Sequence, residues 1–318
     1  MSLELGKTTN ASVWMFSGQG AQKPGMGLDL QDIPEVRDTF VCASDVLGFD
    51  VAEFIETATE DKINNTAFAQ PCMCVLSVAQ ARALLARGIA PDAVLGFSLG
   101  QISALPISGM LSDEATFAFV KERARLMAEA AAENPGCMSA LLKADEPSVL
   151  ALCEQCADGD VLVAANYNSP GQIVISGTSE AVGRAEAAWA EQGKRSSRLA
   201  TSGAFHSPLM AQAAEKLSAY LNNLEFNEAQ IPLISNVTAL PLAPDQAKAQ
   251  LADHLTHPVR FDLSVQNLID ANAVEFVELG YGGVLANLVK RINKDVDRKV
   301  ISDRPSFDAY VNSKSECE

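Results

Sequence analysis

Positive charge is scarce in this sequence. The 318 residues include 24 lysines and arginines against 40 aspartates and glutamates, and the formal net charge is −16. Proteins that bind nucleic acid usually carry the opposite balance, and we therefore expect no nucleic-acid partner. If the substrate or the partner is itself anionic, its docking site must be a local cluster of basic residues.

Long apolar runs and a targeting segment are also missing. No window approaches the roughly 18 uninterrupted apolar residues typical of a transmembrane helix. Residues 1–7 lack the basic region and the apolar core of a signal peptide. The composition is nevertheless 48% hydrophobic, which is enough for a large core and for more than one folding unit. We expect no membrane partner.

The seven cysteines are scattered. Cys153 and Cys156 have C-x-x-C spacing without a second pair to complete a zinc site, and Cys72 and Cys74 lie in an apolar stretch. We therefore expect buried free thiols, no bound metal, and a reducing, cytoplasmic setting.

The sequence is organised around residues 96–100, G-F-S-L-G, which follow a short apolar segment and precede a helical pattern. A serine on such a strand–turn–helix connection is pushed out at the top of a sheet. The N-terminus of the following helix directs backbone N–H groups at an oxyanion formed there. Ser98 is therefore the candidate nucleophile, although the motif by itself also fits a plain turn.

Histidine is rare, which narrows the choice of a base. The three histidines are His206, His254 and His257. His254 has polar neighbours in a helical stretch and His257 precedes a proline, so that surface or capping positions are expected for both. His206 lies in a loop of small residues at a predicted domain boundary, and it is the candidate base for Ser98. No acidic residue stands out as the third member of a triad.

Arg123 belongs to the apolar stripe of a helix predicted to begin after Ser112. A buried arginine needs a partner because an unpaired buried charge costs several kcal/mol. The pattern leaves two possibilities open, an internal carboxylate or the carboxylate of a substrate.

The pattern predicts an α/β protein with an inserted domain. Residues 137–200 follow the order βαββαβ, which is the ferredoxin-like arrangement. We assign this small domain to residues 136–200, inside a larger domain of residues 1–135 and 201–318. Further predictions are a helix over 34–57, a helix over 69–87 with Pro71 in its first turn, an interruption at Pro106 and a frayed segment of the last fifteen residues.

Six short motifs occur together and in order. They are residues 16–22 (F-S-G-Q-G-A-Q), 96–101 (G-F-S-L-G-Q), Arg123, 166–172 (N-Y-N-S-P-G-Q), 203–206 (G-A-F-H) and 235–238 (S-N-V-T). This set resembles the malonyl-CoA:acyl carrier protein transacylase family and the acyltransferase domains of polyketide synthases, from about residue 13 to 303. The resemblance implies an α/β-hydrolase-like core with the ferredoxin-like insert.

The resemblance also implies a role for each residue. Ser98 would accept the acyl group, and His206 would be base and then acid. The backbone N–H groups of Gln19 and Leu99 would form the oxyanion hole. A backbone carbonyl near Arg260 would orient the histidine. Arg123 would hold the free carboxylate of malonate, and the rings of Phe205 and Phe97 would line the acyl site, with Phe205 disfavouring a branched α-carbon.

The implied substrates are malonyl-CoA and the phosphopantetheine thiol of an acyl carrier protein, with no permanently bound cofactor, in a monomer. The family usually has His at Phe97 and Glu at Gln101, and Tyr281 and Gly283 replace a common Pro and Lys. Two alternatives remain, a serine hydrolase acting as a thioesterase or esterase, and a non-catalytic binding subunit. The pathway, fatty acid or polyketide, stays open.

Two basic clusters are candidates for docking the acidic partners. The first comprises Lys194, Arg195 and Arg198, just before the His206 loop, and the second comprises Lys290, Arg291 and Lys294 on a predicted helix. We favour the first because it borders the expected cleft between the domains.

Overall fold

The computed structural model describes residues 10–315. Within that range the strands are β1 (Ala11–Phe16), β2 (Ala93–Gly96), β3 (Cys137–Ala144), β4 (Leu162–Ser169), β5 (Gly171–Gly177), β6 (Ser196–Arg198), β7 (Leu233–Ile234), β8 (Val259–Arg260), β9 (Ala273–Leu279) and β10 (Asp297–Ile301).

The helices of this range alternate with the strands. They are α1 (Pro34–Leu47), α2 (Val51–Thr57), α3 (Glu60–Asn64), α4 (Thr66–Leu85), α5 (Leu99–Ser108), α6 (Asp113–Glu133), α7 (Glu146–Ala157), α8 (Ser179–Glu191), α9 (Ala211–Leu221), α10 (Pro244–Asp253), α11 (Phe261–Asp270), α12 (Val284–Ile292) and α13 (Arg304–Ser315).

The larger part of the chain is built on a parallel sheet with the strand order β10-β9-β1-β2-β7. Its central strand β1 is almost wholly buried, as expected for a strand covered on both faces. Val13 pairs with Ala93 on one side and with Phe276 on the other. The loops after β1 and β2 therefore leave the sheet side by side at its carboxyl edge, where ligands bind in open α/β sheets.

The second sheet has the order β6-β3-β5-β4-β8. Strands β3 to β6 alternate with α7 and α8 in the predicted order, and their mutual pairings are antiparallel. The fifth strand, β8, comes from beyond residue 200 and pairs parallel with β4. The two parts of the chain thus share this sheet. The α/β class expected from the sequence is confirmed.

Two helix predictions were wrong near the N-terminal end. The predicted helix over 34–57 is two helices, because Gly48 ends α1 with a left-handed φ of 83° and Asp50 caps α2 by accepting from the Glu53 N–H. The next long helix spans Thr66–Leu85 rather than the predicted residues 69–87. Asn65 caps it through the Ala67 N–H, and Pro71 lies inside the helix.

Helix α5 passes through Pro106, which was predicted to interrupt it, and ends at Gly109 with a φ of 84°. All its residues are buried, and tertiary packing offsets the cost of the proline. The last residues were expected to fray, but α13 packs Phe307 and Tyr310 into the structure. Residues 316–318 lie outside the described range.

Helix α4 is long and apolar enough to cross a membrane, but 83% of its apolar window is buried inside the protein. It packs on α1, α5 and α6. It is therefore a core helix of this fold. The prediction of buried free thiols is confirmed for Cys72, Cys74, Cys153 and Cys156.

Candidate active site

Ser98 lies in the tight connection between β2 and α5. Its backbone has φ 51° and ψ −104°, an unfavourable conformation for a residue with a side chain. A Cβ added at Gly96 would lie 1.9 Å from the Gly100 carbonyl carbon, and one added at Gly100 would lie 1.9 Å from the Phe16 carbonyl oxygen. Only glycines fit at these two positions, and the turn they permit leaves the serine side chain partly exposed.

Asn236 holds this turn in place. Its Oδ1 accepts from the Ser98 backbone N–H at 2.8 Å, and its Nδ2 donates to the Gly96 carbonyl at 2.7 Å. Its own N–H donates to Gln101 Oε1 at 2.7 Å. Residues 235–238 are one of the six motifs of the sequence, but no role was predicted for Asn236. Its position just after a buried strand could have indicated one.

His206 directs its ring at the serine. Its Nε2 lies 2.8 Å from Ser98 Oγ, and its Nδ1 lies 2.8 Å from the carbonyl oxygen of His254 and 3.2 Å from that of His257. A carbonyl can only accept, so we assign the proton to Nδ1, which leaves Nε2 to accept from the serine hydroxyl. The orienting carbonyl was predicted near Arg260, and the structure places the two carbonyls at His254 and His257, six and three residues before it.

The other two histidines differ in their exposure to solvent. His257 is exposed, as expected, whereas His254 is fully buried beside His206 with a ring-centroid separation of 5.1 Å. His254 is the C-cap residue of α10, in agreement with the capping alternative, but the surface alternative was wrong because the side chain is fully buried. The polar residues around it in sequence gave no sign that the chain after α10 turns this side chain inward.

The surroundings of His206 favour the neutral ring. Its pKa is lowered from 6.5 to about 4, mainly by burial and also by the positive charge of Arg123, while the two carbonyls at Nδ1 oppose that shift. Burial, together with His206 and Arg123, also keeps the pKa of His254 well below its ordinary value. His206 is therefore an unprotonated acceptor at neutral pH, as a general base must be.

Arg123 is buried without a carboxylate partner among the described residues. Its Nη1 donates to Gln70 Oε1, and its Nη2 lies 3.4 Å from Ser98 Oγ. Burial lowers its pKa to about 10, and the side chain remains cationic at pH 7. Of the two possibilities left open by the sequence, this environment favours an anionic ligand beside Ser98, since both observed partners are neutral.

A hydrogen-bonded chain links Arg123 to the loop after β1. Gln70 Nε2 donates to Thr66 Oγ1 at 2.9 Å, and Thr66 Oγ1 donates to Gln19 Oε1 at 2.8 Å. Thr66 and Gln70 were not singled out from the sequence. Two polar residues at i and i+4 on an otherwise apolar helix were the available signal.

Gln19 and Leu99 lie on either side of the serine, in the loop after β1 and at the first position of α5. Within residues 10–315, neither backbone N–H donates to a protein acceptor. Both can therefore bind an oxyanion. The described residues hold no cluster of three or more His, Cys, Asp or Glu suited to a metal ion.

A small pocket of about 80 Å³ lies at Ser98 and His206 and is walled by Phe205, Phe97 and Gln19, among others. A larger cavity of about 330 Å³ adjoins it. The two share wall residues, namely Gln19, Phe97, Asn166, Leu199 and Thr201. The small pocket thus adjoins the larger cavity between the two sheets, which we call the channel. Arg260, which was expected at the site, lines neither space.

Comparison with known proteins agrees with this geometry. The family model described as an acyl transferase domain matches residues 13–304. A malonyl CoA-acyl carrier protein transacylase of Bacillus subtilis (strain 168) is 35% identical over 307 residues, which cover 95% of this chain and 97% of the relative.

Two solved structures superpose closely. An acyl carrier protein S-malonyltransferase from Vibrio cholerae is 34% identical with a TM-score of 0.91, covering 95% of this chain and 100% of that one. A malonyl-transacylase in complex with its type II PKS acyl-carrier protein is 34% identical with a TM-score of 0.92, covering 96% and 100%.

Proposed function

The chain belongs to the acyl transferase family, and on that basis we propose that it transfers a malonyl group from malonyl-CoA to the phosphopantetheine thiol of an acyl carrier protein through an ester on Ser98. The observation that carries this proposal is the buried Arg123, whose guanidinium approaches Ser98 Oγ to 3.4 Å and pairs with no carboxylate of residues 10–315. A positive charge at that place suits an acyl group that ends in a carboxylate.

In the first half-reaction, Ser98 Oγ attacks the thioester carbonyl while His206 Nε2 removes the hydroxyl proton. The oxyanion is bound by the backbone N–H groups of Gln19 and Leu99. The C–S bond then breaks, the proton passes from His206 to the leaving sulfur, and coenzyme A departs as the thiol. The two carbonyls at Nδ1 take the place of a triad acid, because they stabilise the imidazolium that forms transiently.

The second half-reaction reverses these steps with a different thiol. His206 removes the proton from the phosphopantetheine sulfur, which attacks the Ser98 ester. The C–O bond breaks, and Oγ regains its proton from the imidazolium. The channel of about 330 Å³ suits the long pantetheine arm, and the pocket of about 80 Å³ suits a short acyl group. In that pocket, Phe205 disfavours a branch on the α-carbon.

The finer description of the fold is also a proposal. We assign residues 136–200 to a ferredoxin-like insert, in keeping with the order β6-β3-β5-β4, and residues 1–135 and 201–318 to an α/β-hydrolase-like core. Helix α5 behind Ser98 and the parallel sheet support the second assignment. We further propose a cytoplasmic monomer without a permanent cofactor, a nucleic-acid partner or a membrane partner.

Mass spectrometry of the intact protein after mixing with malonyl-CoA tests the proposal. The expected result is the covalent addition of one malonyl group at Ser98, which disappears when holo acyl carrier protein is added. The Ser98→Ala variant should gain no mass. A wild-type protein that gains no malonyl mass would overturn the mechanism and would favour a non-catalytic binding subunit.

The acceptor dependence separates transfer from hydrolysis. A transferase consumes malonyl-CoA rapidly only when carrier protein is present, and it yields malonyl-carrier protein. If consumption proceeds equally fast without carrier protein and free malonate accumulates, the protein is a thioesterase on the same fold.

A further inference from the structure

The segment of residues 254–260 contacts His206 directly and is linked to Ser98 through Asn236. Two of its carbonyls accept from His206 Nδ1, at 2.8 and 3.2 Å. At its other end, the Arg260 N–H donates to the Asn236 carbonyl at 2.8 Å, and the Asn236 side chain binds the backbone at Ser98. A shift of this segment would therefore change the orientation of the base and of the nucleophile together.

The side chain of Arg260 extends from this segment to the second sheet. Its Nη1 and Nη2 donate to the two carboxylate oxygens of Glu146 at 3.1 and 3.2 Å. Its guanidinium carbon lies 4.1 Å from the centroid of the Tyr167 ring. Glu146 begins α7, and Tyr167 lies on β4. The planar guanidinium of Arg260 thus makes a bidentate ion pair with α7 and a cation–π contact with β4.

Among the polar contacts of residues 10–315, this link has few substitutes. Strand β8 is two residues long and pairs with β4 only at Val259 and Arg260. Among the ion pairs of residues 10–315, Arg260–Glu146 is the one that joins the unit of β3 to β6 to the rest of the chain. The other pairs on that unit, Arg184–Asp160 and Arg198–Glu186, are internal to it.

We propose that Arg260 is a positioning residue for the reaction. Its hold on Glu146 and Tyr167 keeps segment 254–260 against the second sheet, so that the carbonyls of that segment keep the His206 proton on Nδ1. It touches neither the nucleophile nor the acyl pocket, and it acts through the backbone. This inference rests on the proposed role of His206 as the base.

The test is a double-mutant cycle with Arg260→Gln, Glu146→Gln and the combined variant. The matched control is Arg184→Gln, which removes an ion pair of similar exposure within the same unit. Rapid-quench measurements of Ser98 malonylation at saturating malonyl-CoA give the rate, and titration of malonyl-CoA gives the half-saturating concentration.

We expect each single variant and the double variant to lose roughly tenfold in the acylation rate with little change in the half-saturating concentration, and the control to stay at the wild-type rate. The effects must be non-additive because both residues act through one contact. Should Arg260→Gln fail to fold, Glu146→Gln carries the test, since its carboxylate is 41% exposed.

Nitrogen NMR of the imidazole rings supplies a readout that a loss of stability alone would not move. The chain has three histidines, which makes assignment feasible. Wild-type His206 should carry its proton on Nδ1, and the Arg260→Gln variant should gain a population protonated on Nε2. Wild-type acylation rates and an unchanged tautomer in the variants would overturn the inference. Failure of the wild-type protein to acylate would instead overturn the proposed function.

Discussion

At the scale of single residues, two buried side chains determine the chemistry. Arg123 brings a positive charge to the site and His206 stays neutral beside it, since burial and that same charge lower the histidine pKa. We therefore propose two effects of the arginine, one on the substrate and one on the base. Each effect can be measured separately.

Replacing Arg123 by alanine should remove the partner of the malonyl carboxylate. We expect kcat/KM for malonyl-CoA to fall by roughly a hundredfold, about 3 kcal/mol in transition-state stabilisation, with acetyl-CoA relatively favoured. Arg125→Ala on the same helix is the control, because Arg125 is exposed and pairs with Glu122 and Glu129. An unchanged preference for malonyl over acetyl would exclude Arg123 as the carboxylate ligand.

The pH dependence of acylation should reflect the lowered pKa of His206. The rate should stay nearly constant as pH falls through 6.5 and should drop only near the pKa of about 4, where the ring gains a proton. In Arg123→Gln the drop should move to higher pH, because a neighbouring positive charge is gone. Stopped-flow pH jumps measure these profiles before acid unfolding. A wild-type midpoint near 6.5 would contradict the prediction.

The lowered pKa of His206 also affects the free energy of unfolding. Between pH 6.5 and about 4 the unfolded chain binds a proton at residue 206 that the folded chain does not bind, and the free energy of unfolding therefore decreases as pH falls through this window.

At the scale of elements, the connection from β2 to α5 illustrates how local strain is supported from elsewhere. The positive φ of Ser98 persists because Gly96 and Gly100 allow close packing and Asn236 binds the backbone on both sides of the turn. The support comes from a segment 138 residues away.

Asn236→Ala should leave the Ser98 N–H and the Gly96 carbonyl without this partner. We expect a loss of about 3 kcal/mol in the free energy of unfolding and a slower acylation. Asn236→Asp keeps the acceptor for the Ser98 N–H, but it should also lose stability because its second carboxylate oxygen would face the Gly96 carbonyl in a buried position. Urea denaturation and malonylation rates give the two quantities, with exposed Asn223→Ala as control. If Asn236→Ala matches wild type in both, the asparagine does not support the turn.

At the scale of the whole molecule, the net charge is negative, although basic residues form local clusters. The chain carries −16, yet its proposed partners are acidic. Of the two basic clusters, the first leads directly into the channel, since Leu199, Ala200 and Thr201 line it. Within this cluster Arg198 pairs with Glu186, whereas Arg195 is exposed. The second cluster was predicted to lie on one helix, but α12 ends at Ile292 and Lys294 lies beyond it.

Reversing Lys194 and Arg195 to glutamate should therefore weaken the approach of the carrier protein. We expect its apparent KM to rise roughly three- to tenfold at low ionic strength and the salt dependence to diminish, with Ser98 acylation by malonyl-CoA less affected. Reversal of Lys216 and Lys248, on α9 and α10, is the control, since neither residue belongs to the segment that leads into residues 199–201 of the channel wall. Unchanged carrier kinetics at low salt would direct the search to Lys290 and Arg291.

Much of the architecture was predictable because it is encoded locally. The elements of residues 137–200 were anticipated in order, and Ser112 was identified as the cap of α6, where its side chain accepts from the Ala115 N–H. The bounds of α4 and α5 were predicted wrongly because prolines were taken to begin or interrupt a helix. In both helices the free energy gained by burying nearly all residues outweighs the loss of one hydrogen bond.

The sequence by itself determined the residues whose chemistry depends on type and spacing. Ser98 follows from two glycines, His206 from the shortage of histidines, and Arg123 from a charge placed on an apolar stripe. The tertiary structure alone decided which groups complete the site. Every residue has a carbonyl and many have an amide side chain, and only the packing of distant segments selects His254, His257, Asn236 and Gln70. Hydrogen bonds act over about 3 Å, so partners are defined by where the chain returns in space and not by their place along it.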